Sequence, residues 1–125
     1  MNASLPHKER LREKIIIDKL FSEGKSINAF PLKLVYLPIE NKINKVAFIA
    51  PKRTLKKAVE RNAVKRVLRE NYRLQKEVFF NNIQANFAFA ILYLGKEIPE
   101  FHFIEKKMKV LFHKLQKVQS NDGQS

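Results

Sequence analysis

KRTLKKAVERNAVKRVLRENYR, residues 52–73, holds more than half of the net positive charge of this 125-residue chain: nine lysines and arginines against two glutamates give +7 of a total of +13. On a helical wheel of about 100° per residue, one face is apolar, with Val64, Val67, Leu68 and Tyr72. The opposite face, here called the basic face, spans roughly 140° and consists of Arg61, Asn62, Lys65, Arg66, Arg69 and Arg73. The pattern predicts a helix with one side in a core and the other available to a polyanion.

A solvated surface helix is the alternative explanation for such a run of charge. Solvated helices usually mix charges of both signs at positions four apart, so that the side chains pair. The series Arg61, Lys65, Arg69 and Arg73 is positive throughout. Like charges at this spacing repel by a few tenths of a kcal/mol per pair. The unrelieved repulsion therefore favours a binding face.

Composition narrows the class of protein further. A chain of 125 residues with 45% hydrophobic residues is sufficient for one domain with its own core. A pI near 10.1 points to nucleic acid or an anionic surface. The absence of cysteine excludes disulfides and thiolate zinc sites. No apolar run is long enough to cross a membrane, and the start MNASLPHKERLREK does not resemble a signal peptide, so we predict a cytoplasmic protein without a membrane partner.

Periodicity predicts five elements besides the basic helix: helices over 7–23 and 99–118, and strands over 30–38, 45–50 and 86–94. A further short strand can precede Phe30. The short connection between the first two of these strands predicts that they are antiparallel neighbours. The strand over 86–94 is apolar on both faces, which predicts a buried position, and its alanines would allow a helix to approach closely. The order indicates a single α+β domain over 1–118, followed by a disordered tail over 119–125.

No constellation typical of a protein active site is present. None of the acidic candidates combines with a second carboxylate and a histidine in a metal-binding pattern; the candidates are Glu60, Glu70, Glu97, Glu100 and Glu105. The chain has only three glycines, none in a phosphate-binding loop. A nuclease that uses its own side chains is therefore disfavoured, and we expect neither catalytic nor metal-ligating residues.

The central stretch resembles the signature of the protein subunit of bacterial ribonuclease P. Lys52-Arg53, a short loop and then residues 60–70, ERNAVKRVLRE, follow that family's order of a basic pair, a loop and a basic helix. Five positions match one by one, namely Arg61, Asn62, Lys65, Arg66 and Arg69. Ala63 departs, since the family usually has a second arginine there. The segment RLREKIIIDKLFSEGKS, residues 10–26, also resembles the start of the family, and the looser likeness extends over about residues 7–117.

The resemblance implies a fold. It is an α+β domain of three helices on a small mixed sheet, in the order α-β-β(-β)-α-β-α, with a left-handed βαβ crossover as in certain ribosomal RNA-binding domains. Parallel βαβ units have a right-handed crossover in about 98% of cases. The left-handed crossover is therefore expected only because of the resemblance.

The resemblance also implies a function. The family binds the catalytic RNA subunit of ribonuclease P and the 5′ leader of precursor tRNA, and assists Mg²⁺-dependent removal of the leader; Mg²⁺ is held mainly by RNA, and no obligate protein partner is expected. The residues expected to bind RNA are Lys52, Arg53, Lys56, Lys57, Arg61, Asn62, Lys65, Arg66, Arg69 and Arg73. A leader cleft between the first helix and the sheet would include Ile17, Phe21, Val35 and Lys65. Tyr36 would replace Val35 if the strand register differed by one.

Two other functions remain open at this point. One is a ribosome-associated or other structured-RNA-binding protein without a role in cleavage. The other is a DNA-binding regulator whose basic helix enters a major groove. A helix-turn-helix motif would need a helix before residues 52–58, and none is predicted there. This disfavours the second alternative.

Overall fold

The computed structural model describes residues 9–40, 44–80 and 86–123, with side-chain surroundings described through residue 118 except at position 80. The elements are α1 (Lys14–Glu23), β1 (Lys25–Ala29), β2 (Leu32–Ile39), β3 (Lys45–Ile49), α2 (Ala58–Phe80), β4 (Asn86–Tyr93) and α3 (Phe101–Gly123). The predicted order is confirmed, including the short strand before Phe30. β2 begins at Leu32, two residues later than predicted, because Phe30 and Pro31 form the turn from β1.

The four strands form one sheet in the order β1-β2-β4-β3. β1 and β2 are antiparallel, as are β2 and β4, whereas β3 and β4 are parallel. The prediction that β2 and β3 are neighbours was therefore wrong, since β4 lies between them. β4 is apolar on both faces, and a central position buries both. α2 connects two parallel neighbours as expected, and the hand of this crossover stays a prediction.

One face of the sheet carries the larger core. Phe87, Phe89, Ile91 and Tyr93 of β4 lie on this face with α2 and α3. The apolar side of α2 packs here as the wheel predicted, with Val64 and Leu68 fully buried. The ring of Tyr72 makes edge contacts with Phe48, Phe89 and Phe112 at centroid distances of 5.8, 6.5 and 6.2 Å. These contacts fix the rotation of α2 about its axis, and so its basic face points away from the core.

The other face of the sheet carries small residues. Ala88 and Ala90 of β4 are fully buried there, beneath α1, whose Leu20 is also fully buried. This arrangement confirms that the alanines allow a helix to approach closely. Ile17 and Val35 belong to the same cluster.

The first helix starts later than the sequence suggested. We predicted a helix over 7–23, but α1 begins at Lys14; residues 7 and 8 lie outside the described part. The preceding segment, residues 9–13, runs along the outer edge of β3, where Leu11 donates its N–H to the carbonyl of Val46 at 2.9 Å. Pairing with an open strand edge satisfies backbone groups that a helix would have satisfied internally.

The two long helices extend beyond their predicted ends. α2 continues from the predicted stretch to Phe80, and α3 continues to Gly123. α3 thus includes most of the segment 119–125 that we predicted to be a disordered tail. Residues 119–122 contain no proline or glycine that would end a helix earlier. Residues 124 and 125 lie outside the described part of the chain.

Candidate nucleic-acid interface

The basic face of α2 lies on the side of the helix opposite the core. Asn62 and Arg66 are exposed, whereas Lys65 and Arg69 are half-buried at the margin of the helix. The buried residues Val64 and Leu68 keep this orientation fixed. The arrangement agrees with the predicted separation of the two faces.

The loop before α2, residues 52–57 and here called the basic loop, is held in one conformation by short-range contacts. The carbonyl of Pro51 accepts the N–H groups of Thr54 and Leu55 at 3.2 and 3.1 Å. The side chain of Leu55 is 1% exposed and anchors the loop in the core. With the backbone fixed in this way, the loop exposes its four cationic side chains, Lys52, Arg53, Lys56 and Lys57.

Arg61 ties the basic loop to the first turns of α2. One guanidinium nitrogen, Nη1, donates to the carbonyl oxygens of Leu55 and Lys56 at 2.7 and 2.8 Å. Arg61 was predicted to contact RNA. The structure gives it a role in shaping the loop, and contact with RNA stays a prediction.

Arg73, at the far end of the basic face, has a carboxylate partner. Its Nη2 donates to Glu70 at 2.6 Å, and this hydrogen bond raises the pKa of Arg73. The predicted positive series is therefore interrupted. Within the described parts of the chain, Lys65, Arg66 and Arg69 pair with no carboxylate.

A pocket lies between the basic face and the outer edge of β3. Two of its cations come from α2 and two from the segment before α1, and we call it the edge pocket. It is lined by Lys65, Arg69, Arg10 and Arg12, with Leu11, Val46, Ala47 and Phe48. Arg10 and Arg12 were not among the residues predicted to bind RNA, because both were expected on a helix. The sequence does contain a sign that this segment is not helical. ERLRE, residues 9–13, has one apolar residue among four charged ones and no repeat of helical period.

The residues predicted for a leader cleft are partly brought together. The register aligns Val35, Ala90 and Ala47 in one row across three strands, and Ala47 also lines the edge pocket beside Lys65. Strands are about 4.8 Å apart, so Val35 and Ala47 lie about 10 Å from each other. Phe21 is 48% exposed on α1. The cleft stays a prediction for these four residues.

The register also decides between the two candidates on β2. Val35 faces α1 within the alanine-lined cluster. Tyr36 points to the opposite face, where it is 4% exposed and its ring meets Phe87 edge-on at 5.9 Å. Tyr36 therefore does not take the place of Val35.

The described residues hold neither a metal-binding cluster nor a membrane-spanning helix. No group of three or more histidine, aspartate or glutamate side chains in this part of the chain is placed to hold a metal ion. No helix in it is both long and apolar enough to cross a membrane.

A small α+β domain with an anchored basic loop and a cationic helix face is typical of polyanion-binding proteins. The comparisons with known proteins are more specific. The model of the family Ribonuclease P matches residues 5–116. The chain belongs to the ribonuclease P protein family.

Relatives of known identity agree with this assignment. The chain is 32% identical over 111 residues to the ribonuclease P protein component of Porphyromonas gingivalis strain W83, covering 84% of this chain and 81% of the relative. It is 30% identical over 128 residues to the ribonuclease P protein component of Chlorobium phaeobacteroides, covering 90% and 88%.

Solved structures show the same fold. The RNase P protein of Staphylococcus aureus superimposes with a TM-score of 0.71 at 15% identity, covering 86% of this chain and 94% of that one. The RNase P protein of Thermotoga maritima gives 0.69 at 24% identity, covering 84% and 96%.

Proposed function

We propose that this chain is the protein subunit of a ribonuclease P. In this role it binds a catalytic RNA subunit and the 5′ leader of precursor tRNA, and it assists endonucleolytic removal of the leader. The observation that carries the proposal is the outward row of Lys65, Arg66 and Arg69, which has no carboxylate partner among the described residues. Membership of the ribonuclease P protein family supports it independently.

The RNA subunit would lie against α2 and the basic loop. Lys65 and Arg69 are one helical turn apart, and residues at this spacing lie about 6 Å from each other, comparable with successive phosphates of a nucleic acid strand. Each side chain can thus neutralise its own phosphate and release counterions. The basic loop adds four exposed cations next to the helix start. Contacts of this kind position an RNA without reading its sequence.

The leader would lie on the alanine-lined face of the sheet. α1 covers part of this face, and half-buried apolar side chains border the rest, among them Ile17, Ala47 and Ile49. Unpaired bases can pack on such a surface while Lys65, at the rim, meets the backbone. This face carries no aromatic side chain on β2, β3 or β4, so we expect apolar packing of bases there without ring stacking.

Catalysis would belong to the RNA. Mg²⁺, bound by the RNA subunit and the substrate, would supply an activated water for attack on the phosphodiester. The protein would contribute charge neutralisation and alignment of the leader.

Reconstitution tests the proposal. Purified protein, a bacterial ribonuclease P RNA and a 5′-labelled precursor tRNA are combined in pairs and all together, with Mg²⁺. We expect no cleavage by the protein without the RNA subunit, and faster leader removal by the RNA subunit when the protein is added. Robust Mg²⁺-dependent cleavage by RNA-free protein would contradict the assignment of catalysis to RNA. Tight RNA binding with no effect on cleavage would favour a structured-RNA-binding protein without a role in processing.

A further inference from the structure

The edge pocket collects positive charge from two distant parts of the chain. Arg10 and Arg12 precede α1, whereas Lys65 and Arg69 belong to α2. None of the described residues that line the pocket is acidic. Four cations around one pocket repel each other unless an anion lies between them.

The carboxylates of the segment 9–13 are engaged elsewhere. Both carboxylate oxygens of Glu9 accept hydrogen bonds from Nζ of Lys76, each at 2.8 Å. Oε1 of Glu13 accepts a hydrogen bond from Nζ of Lys45 at 2.9 Å. These two ion pairs anchor the segment to α2 and β3 at both of its ends. They also leave Arg10 and Arg12 without a carboxylate partner in the described structure.

Arg10 gives a second, independent indication of a ligand. Its Nε is buried and has no hydrogen-bond partner among the described residues. A buried charged donor without a partner is costly, and native structures rarely contain one unless a ligand, ion or water satisfies it.

The edge of β3 offers a backbone donor to the same place. Val46 turns its carbonyl outward, since it accepts the N–H of Leu11. Backbone groups of a strand repeat their direction every two residues, so the N–H of Phe48 also points to this edge. Phe48 and Val46 both line the pocket, and these apolar residues lower the local polarity and so strengthen electrostatic contacts nearby.

We propose that the edge pocket binds one phosphate group of the bound RNA backbone, held by Arg10, Arg12, Lys65 and Arg69 and by the N–H of Phe48. The inference rests on the proposed function for the source of the phosphate. It adds the segment before α1 to the interface and fixes one point of the RNA between that segment and α2. Arginine suits this task, since its planar guanidinium meets a phosphate with two parallel hydrogen bonds.

The first test compares two double variants that lose the same charge. Arg10→Gln/Arg12→Gln removes the pocket's contribution from the segment, and Lys106→Gln/Lys109→Gln removes two exposed lysines of α3. Affinity for the RNA subunit is measured between 50 and 300 mM salt, about the range in which phosphate contacts are resolved. We expect the pocket variant to lose about tenfold in affinity and its salt slope to flatten by about one. The α3 variant should change by less than about twofold.

Stability must be separated from binding. Melting temperatures are recorded for both double variants, and Arg12→Gln alone is included because Arg12 is exposed and contributes no packing. We expect Arg12→Gln to fold like the wild type and still weaken RNA binding. Equal affinities for the pocket and α3 variants would overturn the proposal. Failure of the wild type to bind any ribonuclease P RNA would instead overturn the proposed function.

The second test identifies the source of the phosphate. Inorganic phosphate is titrated against chloride at equal ionic strength, and the backbone resonance of Phe48 is followed by NMR. We expect phosphate to shift this resonance in the wild type and not in Arg10→Gln/Arg12→Gln, and to compete with RNA. A shift without competition would assign the pocket to free phosphate and overturn the RNA source. The absence of any shift would overturn the site.

Discussion

The helices α2 and α3 are similar in length and packing but differ in what their outer faces can do. Each has 23 residues and contributes an apolar stripe to the same core. Each also presents many cations on its outer side. On α2 the unpaired cations form a row beside the basic loop and the edge pocket. On α3, Lys107 and Lys114 make contacts within the protein. The exposed Lys106, Lys109 and Lys117 belong neither to the basic loop nor to the edge pocket.

Three contacts on α3 illustrate the difference. Lys114 donates to the carbonyl of Asn28 at 2.7 Å, and the ammonium of Lys107 lies 5.6 Å from the ring centre of Phe103. Glu105 accepts from His102 at 3.1 Å, which lowers the pKa of Glu105. The number of cations is therefore a poor guide to a binding face. What marks α2 is that its unpaired cations are adjacent to one another and lie next to the basic loop and the edge pocket.

The strongest test of this comparison removes three positive charges from each helix in separate variants. Lys65, Arg66 and Arg69 are changed together to Gln, which keeps helix propensity and length. We expect affinity for the RNA subunit to fall about a hundredfold near 0.1 M salt, with a salt slope flatter by roughly two to three. The melting temperature should stay equal or rise slightly, because repulsion within the row is relieved.

The matched control changes Lys106, Lys109 and Lys117 to Gln. These three are exposed on α3 and lose the same charge. Lys107 is left in place because of its contact with Phe103. We expect a loss in affinity of less than about threefold. Equal losses for the two triple variants would mean a general charge effect, and the comparison between the helices would fail.

Substitutions of two asparagines on α2 distinguish an effect on RNA binding from an effect on packing. Asn71 is fully buried and donates to the carbonyl of Phe101, which links α2 to α3. Asn71→Ala should lower the free energy of unfolding by about 2 kcal/mol, since this link and its packing are lost. Asn62 is exposed on the basic face. Asn62→Ala should stabilise by about half a kcal/mol through helix propensity, while RNA affinity drops.

Chemical denaturation and RNA titration of both asparagine variants check these outcomes. An unchanged dissociation constant for Asn62→Ala would remove Asn62 from the interface. A neutral effect of Asn71→Ala on stability would show that the polar contact between the helices is unimportant.

Arg61 tests whether the basic loop is held by its helix. Arg61→Gln should destabilise the fold by about 1 kcal/mol through loss of the contacts to Leu55 and Lys56. Arg61→Lys keeps the charge, but its ammonium lies on a shorter side chain than Nη1 of Arg61, so we expect it to hold the two carbonyls less well. If loop order matters for binding, both variants should weaken RNA affinity. Full affinity in Arg61→Lys would show that only the charge matters.

Lys114 of α3 provides the matching test on the other helix. Lys114→Gln removes the exposed hydrogen bond to the carbonyl of Asn28. Its free energy of unfolding should stay within about 0.5 kcal/mol of the wild-type value.

The smallest expected effect concerns the pH dependence of stability that comes from Glu105 of α3. The hydrogen bond from His102 lowers the pKa of Glu105. A carboxyl with a lowered folded-state pKa contributes stability above its unfolded pKa, near 4.3, and loses it as the pH falls through the folded value. Between pH 6 and pH 3, the melting temperature of Glu105→Gln should therefore fall slightly less than that of the wild type, by about a degree. Identical pH profiles would show that this exposed contact adds nothing.

Much of the fold could be predicted from short-range patterns. The apolar stripe of α2, the order of the elements and the double-sided burial of β4 all follow from periodicities of 3.6 and 2 residues. The outward direction of the basic face followed from the same wheel. The pairing of strands could not be predicted in this way. β2 and β3 are close in the sequence, but the burial of both faces of β4 places it between them.

The sequence by itself determined that the chain has one domain, a helix with a core side and a cationic side, and a buried strand with phenylalanines on one face and alanines on the other. These properties depend on residues a few positions apart. Apart from the local pair of Glu70 and Arg73, the tertiary structure decided which cations are paired, because the partners are far apart in the sequence: Glu9 meets Lys76 across 67 positions, and Glu13 meets Lys45 across 32. The edge of β3 likewise turned residues 9–13 from a predicted helix into an extended segment. That change placed Arg10 and Arg12 beside α2, since an unpaired strand edge offers backbone partners that no local pattern reveals.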